Sequence, residues 1–313
     1  MAHVTMVHGI GRKPEADALL AIWRRALAQG EDGIDLGAEG VTSSMVYWAD
    51  VLYPAPDPDV AAHEGADELE ALASEVAVVG EPITLQDAVD PDWLARLGGK
   101  LLLQEALTEG MEPPTPSAPP ARPGDERFPL PWVLKQKFLA AFLRDVHHYL
   151  FDVEHEPRPG ERYRVRQEIR RRFVSKLQEG AAQGGPQVIL GHSLGTVIAY
   201  DGLKNLPDCP PAAGLVTLGS PLGLDEVQDK LEPGWSRADG FPRERLGGDW
   251  ANLFDRLDPV AALDPVLAND FRKGGEAVVR DVEVSNGGLW RHASRKYLAG
   301  GPLRAELRRL LEL

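Results

Sequence analysis

The sequence predicts an α/β fold, a mostly parallel sheet of about six strands flanked by helices, with a large helical and proline-rich insertion. Three observations predict it. Short β-rich apolar runs alternate with helical patterns at both ends of the 313-residue chain. That alternation stops for over a hundred residues in the middle. A Gly-x-Ser-x-Gly segment stands where one apolar run meets a helical one.

The elements follow in order. Ala2 to Val7 reads as a strand stopped by His8-Gly9-Ile10-Gly11. Pro14-Glu15 opens a helix with Ala18, Leu19, Ile22, Trp23, Ala26 and Leu27 on one face and Gly30 just past its end. Val41 to Trp48 is a second strand, completing a strand–helix–strand unit. Val60 to Val79 and Asp87 to Thr108 look helical, and 112–131 holds eight prolines, which predicts an extended or mobile loop. Leu134 to Phe151 is an amphipathic helix with Phe138, Ala141, Phe142, Val146 and Tyr149 on one side. Glu161 to Gln183 reads as a helix with a basic face of Arg162, Arg166, Arg170 and Arg171. The sheet resumes at Gln187 to Leu190, then Leu215 to Leu218, Trp250 to Phe254 and Ala277 to Val284, and Leu303 to Leu311 is a last helix. The predicted division is a core of 1–49 and 161–313, with an insertion at 50–160.

Composition bounds what the chain does. Apolar residues make up 43%, enough to bury a sizeable core, and the net charge of −14 argues against a sequence-independent nucleic-acid binder. Between Asp50 and Asp125 there are 16 acidic and 3 basic residues, so most of the net charge sits in the insertion, as a solvated excursion would have it. Cys209 is the one cysteine and excludes an intrachain disulfide. No run approaches the roughly 18 apolar residues of a membrane span, and no basic-then-apolar leader opens the chain. The expectation is a cytoplasmic protein.

Gly191-His192-Ser193-Leu194-Gly195 is the most informative segment. A serine hydroxyl is a poor nucleophile until a base takes its proton and the backbone presents it to substrate. A sharp strand-to-helix turn does the presenting, and residues two before and two after the serine must be small where strand and helix backbones nearly touch. Gly191 and Gly195 meet that need, between a buried apolar strand and a helical run starting at Thr196.

With these residues the chain resembles the α/β-hydrolase superfamily, and within it the bacterial lipase- and esterase-type serine hydrolases with a His-Gly-Ile-Gly first loop. The resemblance covers about 200 residues, the strands at both ends, and does not extend to the insertion. It implies Ser193 as nucleophile, then an acid, then a histidine in chain order. His292 is the one histidine C-terminal to Ser193 and follows the last strand after a glycine-containing loop, so it is the expected base. The acid is expected after the strand Trp250 to Phe254. Asp258, which begins Asp-Pro-Val, is preferred, and Asp255, nearer the strand end, is the alternative. The oxyanion donors implied are the N–H groups of Leu194 and Ile10, with Gly9 and Gly11 allowing the loop to bend and His8 anchoring it. The activity implied is hydrolysis of a small-molecule or lipid carboxylic ester through an acyl-enzyme, with no metal or organic cofactor.

Other readings compete. The same triad serves an acyltransferase, thioesterase or amidase, and the scaffold alone could be a non-catalytic binding module, although such a module needs no intact triad. Gly9-x-Gly11 begins a dinucleotide fingerprint, but Pro14 stands at the third glycine position. His147, His148, Asp152, Glu154 and His155 crowd together, with His148 and Asp152 at i, i+4, a spacing open to metal; a solvated helix end is the preferred reading. The insertion suits a lid over the site, which is the preferred reading, and an interface in a homodimer is the alternative. Its acidic residues are the expected partners of the basic helix face.

Overall fold

A computed structural model of the chain describes residues 1–64, 68–76, 82–109, 131–231 and 235–313. The order of elements is β1 (His3–Val7), α1 (Ala16–Ala28), β2 (Thr42–Val46), α2 (Ala49–Leu52), α3 (Val60–Glu64), α4 (Glu68–Glu75), α5 (Pro91–Glu109), α6 (Trp132–Leu150), β3 (Glu154–Arg158), β4 (Glu161–Arg164), α7 (Val165–Ala181), β5 (Gln187–His192), α8 (Leu194–Asn205), β6 (Ala212–Leu218), α9 (Asp225–Gln228), β7 (Leu246–Phe254), β8 (Arg280–Glu283), α10 (Ser294–Leu298) and α11 (Gly301–Leu311). Among the described residues no helix is long and apolar enough to cross a membrane.

Six strands form one sheet in the order β2-β1-β5-β6-β7-β8, every pair parallel. Parallel strands need crossovers, which place helices on both faces, so a strand such as Val188-Ile189-Leu190 is apolar without alternation. The two faces nevertheless sort by the strand period of two. Val4, Met6, Val188, Leu190, Val216, Leu218, Ala251 and Leu253 pack with α1, α10 and α11. Ile189, Leu215 and Trp250 face the other way, onto α7, α8 and the inserted helices. The chain leaves β1 for β2 on one side, and β5 pairs with β1 on the other. In open α/β sheets such a reversal opens a crevice beyond the strands' carboxyl ends. The His8–Gly11 loop and Ser193 both lie there.

The described part of the insertion does not build a core of its own. Trp93, Leu94, Leu97, Leu101, Phe142, Val146 and Tyr149 belong to the same buried apolar cluster as Val7, Ile189 and Leu215. The face predicted for 134–151 is the buried face of α6.

Several expectations need correction. The helix expected over 60–79 is two short ones, α3 and α4, and 77–79 lie outside the described residues. The expected helix at 87 starts at Pro91, because Asp90 Oδ1 accepts the Trp93 N–H at 2.9 Å and Pro91 fits a first turn. The segment 161–164 is not the start of a helix: it pairs antiparallel with 154–158 in a two-stranded ribbon turning at Gly160, where φ is +81°. The last strand is shorter than expected, Arg280–Glu283. Arg170 does not pair with the insertion; it holds Asp201 on α8 through two bonds of 2.7 and 2.6 Å, and Arg171 pairs with Glu168 on its own helix. Arg162 does pair with Glu154 and Glu156. Of the proline-rich 112–131, all but Pro131 lies outside the described residues.

Candidate active site

The site is built at the end of β5. Ser193 has φ +53° and ψ −128°, a conformation β5 and α8 impose on a non-glycine residue at a cost of about 1–3 kcal/mol. Its N–H donates to Leu218 O at 3.0 Å, and its carbonyl accepts from the Thr196 N–H and hydroxyl at 2.9 and 2.7 Å. The flanking glycines are required by contact. A Cβ on Gly195 would lie 2.2 Å from Val7 O, and one on Gly191 would lie 3.0 Å from Gly195 O. Gly195→Ala therefore forces β1 and α8 apart, and is expected to cost about 1–3 kcal/mol of stability. An unchanged urea midpoint in that variant would show that the contact is relaxed.

Ser193, His292 and Asp258 are brought together. His292 Nε2 lies 2.9 Å from Ser193 Oγ, and His292 Nδ1 lies 2.8 and 2.9 Å from the two Asp258 oxygens. A carboxylate only accepts, so the ring proton sits on Nδ1 and the Nε2 lone pair faces the hydroxyl. All three are buried, and Ser193 is 0% exposed. Gly219, at φ +55°, permits the pair: a Cβ there would lie 2.8 Å from Asp258 Oδ2 and 3.2 Å from His292 Nδ1.

Asp258 is held from several directions. The Val260 and Ala261 N–H groups donate to Oδ1 at 2.8 and 3.1 Å, and Tyr297 OH donates to Oδ2 at 2.7 Å. Burial works to raise its pKa, but the His292 charge and these donors outweigh it and hold the carboxyl below the usual carboxylate range. Burial, reinforced by Asp258, keeps the Tyr297 phenol protonated well beyond its ordinary value.

Asp255 has a different place. Its carboxylate accepts from Leu257 N–H at 2.7 Å, Asn286 N–H at 2.6 Å and Arg291 at 3.2 Å, so it fastens the loop that carries His292 and does not touch the imidazole. His192 holds the same loop from the other side by donating Nε2–H to His292 O at 2.7 Å. Burial pushes the His192 pKa well down, which keeps that ring neutral beside His292.

The His8–Gly11 loop packs directly on the serine. A Cβ on Gly9 would lie 2.7 Å from Ser193 Cβ. His8 is fully buried; burial, with the Lys13 charge, takes its pKa down to about 3, so it is neutral. Its Nε2 accepts the Trp48 N–H at 3.0 Å, which leaves Nδ1–H to donate to Gly9 O at 2.8 Å, and the ring stacks on Trp48 at 4.6 Å. Gly11 N–H is taken by Asp145 of α6 at 2.9 Å. The amides of Ile10 and Leu194 have no acceptor among the described residues, and Leu194 opens α8, where the first amides lack intrahelical partners. This end of the sheet therefore presents a hydroxyl, an imidazole aligned with it and two unused amides. Edge-on to the imidazole stand Phe138 of α6 at 5.8 Å and Trp290 at 5.7 Å.

Among the described residues no group of three or more His, Cys, Asp or Glu side chains is disposed to hold a metal. In the cluster weighed above, His148 Nδ1 bonds to Arg144 O at 2.8 Å, Asp152 takes Gln167 and Arg164, and His155 bonds to Leu52 O. Tyr297, His192, Gly219 and Asp145 are contributors that no sequence pattern singled out.

No family model matches the sequence, and no curated protein does. Among solved structures the chain is similar to an uncharacterized protein from Pseudomonas aeruginosa, at 11% identity and a TM-score of 0.26. The alignment covers 81% of this chain and 35% of that one, so the chain spans about a third of its length. A likeness at this level identifies neither a fold nor an activity.

Proposed function

We propose that the chain is a serine hydrolase of the α/β-hydrolase type, cleaving carboxylic esters through Ser193, His292 and Asp258. The observation that carries this reading is the continuous chain of bonds from the Ser193 hydroxyl through both nitrogens of His292 to the Asp258 carboxylate. His292 takes the Ser193 proton as Oγ attacks the carbonyl carbon. The oxygen that gains charge rests on the Leu194 and Ile10 amides, helped by the positive end of the α8 dipole. The imidazolium then protonates the leaving alcohol, an acyl-serine forms, and water activated by the same ring releases the acid. Asp258 fixes the Nδ1–H tautomer and stabilises the imidazolium without taking the proton. Each step uses the chain's own groups. Because Ser193 is fully buried, substrate entry needs displacement of a covering element, and the Phe138 and Trp290 rings favour an apolar group beside His292.

The test is labelling by a fluorophosphonate, which forms a stable adduct only with an activated serine. The native protein is expected to label at a single peptide containing Ser193, and Ser193→Ala to remain unlabelled. An unlabelled native protein, or equal labelling of the variant, overturns the reading. Rates on p-nitrophenyl esters of increasing chain length then define the acyl group accepted.

A further inference from the structure

The insertion reaches the reacting centre through a charged group that the mechanism above does not use. Asp145, on α6, is 0% exposed, and its carboxylate is fully engaged. Arg144 grips Oδ1 through Nε and a terminal nitrogen at 3.0 and 2.8 Å. Oδ2 accepts the Gly11 N–H at 2.9 Å and the Tyr53 hydroxyl at 3.0 Å. The Arg144 guanidinium is itself buried and lies 4.5 Å over the Tyr53 ring, which closes the cluster.

A buried carboxylate is costly unless it is neutralised and hydrogen-bonded, and replacing such a pair by neutral groups is often harmless to stability. The pair therefore needs a reason beyond stability, and its hydrogen bond to the His8–Gly11 loop supplies one. Gly11 has φ +87°, so its peptide can turn freely about that residue until something fixes it. Asp145 fixes it one residue from the Ile10 amide, while His8 fixes the other end through Gly9 O. Arg144 meanwhile offsets a negative charge that would otherwise oppose an oxyanion forming nearby.

We propose that Asp145 is a positioning residue that holds the oxyanion-binding loop from the inserted helix, so that the insertion sets the reactivity of Ser193. The proposal rests on the esterase reading, and its test is arranged so that the two fail separately. Arg144→Met/Asp145→Asn and Arg144→Met/Asp145→Leu both remove the ion pair, and both are made with Tyr53→Phe so that no hydroxyl is left unpaired. They differ chiefly in whether an acceptor remains for the Gly11 N–H.

Three readouts are taken on each variant: the exchange rate of the Gly11 amide, the kcat and KM for a p-nitrophenyl ester, and the rate of fluorophosphonate labelling. The leucine variant is expected to exchange Gly11 faster and to lose about 10- to 100-fold in kcat, with KM changed by less than about threefold, as misplacement of one transition-state donor predicts. Labelling should slow in parallel, and the asparagine variant should recover most of each loss. Equal kcat in the two variants, or a loss confined to KM, overturns the positioning role. If the native protein neither hydrolyses nor labels, the esterase reading falls, while Gly11 exchange still decides whether Asp145 anchors the loop. Equal Gly11 exchange in the two variants overturns the anchoring itself.

Discussion

His292→Ala is expected to lower kcat for ester hydrolysis by roughly 10⁶-fold and Asp258→Asn by roughly 10⁴-fold, with a residual rate above that of water. The inequality follows from the geometry. Without the imidazole nothing accepts the Ser193 proton at 2.9 Å, whereas loss of the Asp258 charge leaves the base present but badly oriented. An asparagine at 258 keeps Oδ1 for the Val260 and Ala261 amides but puts a donating NH₂ in place of the Oδ2 that faces His292 Nδ1 and Tyr297. It also removes the charge, and both changes favour the opposite tautomer, with a protonated Nε2 toward the serine. Asp255→Asn gives the decisive contrast. Asp255 supports the His292 loop and not the ring, so the variant is expected to lower the melting temperature and leave kcat within about tenfold of native at a temperature where it is folded. If Asp255→Asn proves the more damaging to kcat, the acid has been assigned to the wrong aspartate.

That contrast also shows which parts of the site are legible in sequence. Ser193 is legible because a strand-to-helix turn of this sharpness demands glycines at fixed spacing, and His292 because no other histidine follows it. Asp255 and Asp258 are three residues apart in one loop, and only the direction of each carboxylate separates them, which no local pattern encodes. Tyr297, His192 and Asp145 are invisible for the same reason. Each acts through a partner far away in sequence, Tyr297 on Asp258, His192 on the His292 carbonyl, Asp145 on Gly11.

The central strands are legible because burial on both faces makes β5 and β6 largely apolar, whereas the edge strands β2 and β8 carry Thr42-Ser43-Ser44 and Arg280-Asp281 and are marked less clearly. The ribbon of β3 and β4 is not legible, since Glu154-His155-Glu156 and Glu161-Arg162-Tyr163-Arg164 carry no apolar alternation and pair through charges on an exposed surface. Its one local signal is Pro159-Gly160, which punctuates a turn. The insertion reads as a cap from its amphipathic helices and proline-rich segment and as a solvated excursion from its acidic composition. Its described buried residues nevertheless join the main core, because a few large side chains such as Trp93 and Phe142 outweigh many solvated charges.

Stability is expected to fall steeply as pH drops from about 6.5 to about 4, before most carboxylates titrate. Burial lowers the pKa of His8 to about 3 and those of His147 and His148 to about 4, and it lowers His155 as well. The Asp90 charge facing His147 and the Asp145 charge facing His148 oppose this shift without reversing it, while Lys13 and Arg172 add to it at His8. A histidine whose folded pKa is depressed binds its proton more readily when unfolded. Its contribution is therefore complete above the unfolded value near 6.5 and is lost as pH falls toward the folded value. Three such rings together amount to a loss on the order of several kcal/mol, comparable to the stability of an ordinary domain. Asp258, whose pKa is also depressed, contributes with the same sign in a lower window: its stabilisation is present above the ordinary carboxylate value and is lost only as pH falls below it. The loss reaches function directly. Protonated His8 can no longer accept the Trp48 N–H, so the loop beside Ser193 loses its anchor along with the fold. Urea midpoints measured at pH 7, 6 and 5 should decline throughout, and His147→Gln/His148→Gln should flatten the decline. A midpoint constant between pH 7 and 5 would mean that these rings are solvated enough to charge without unfolding the chain.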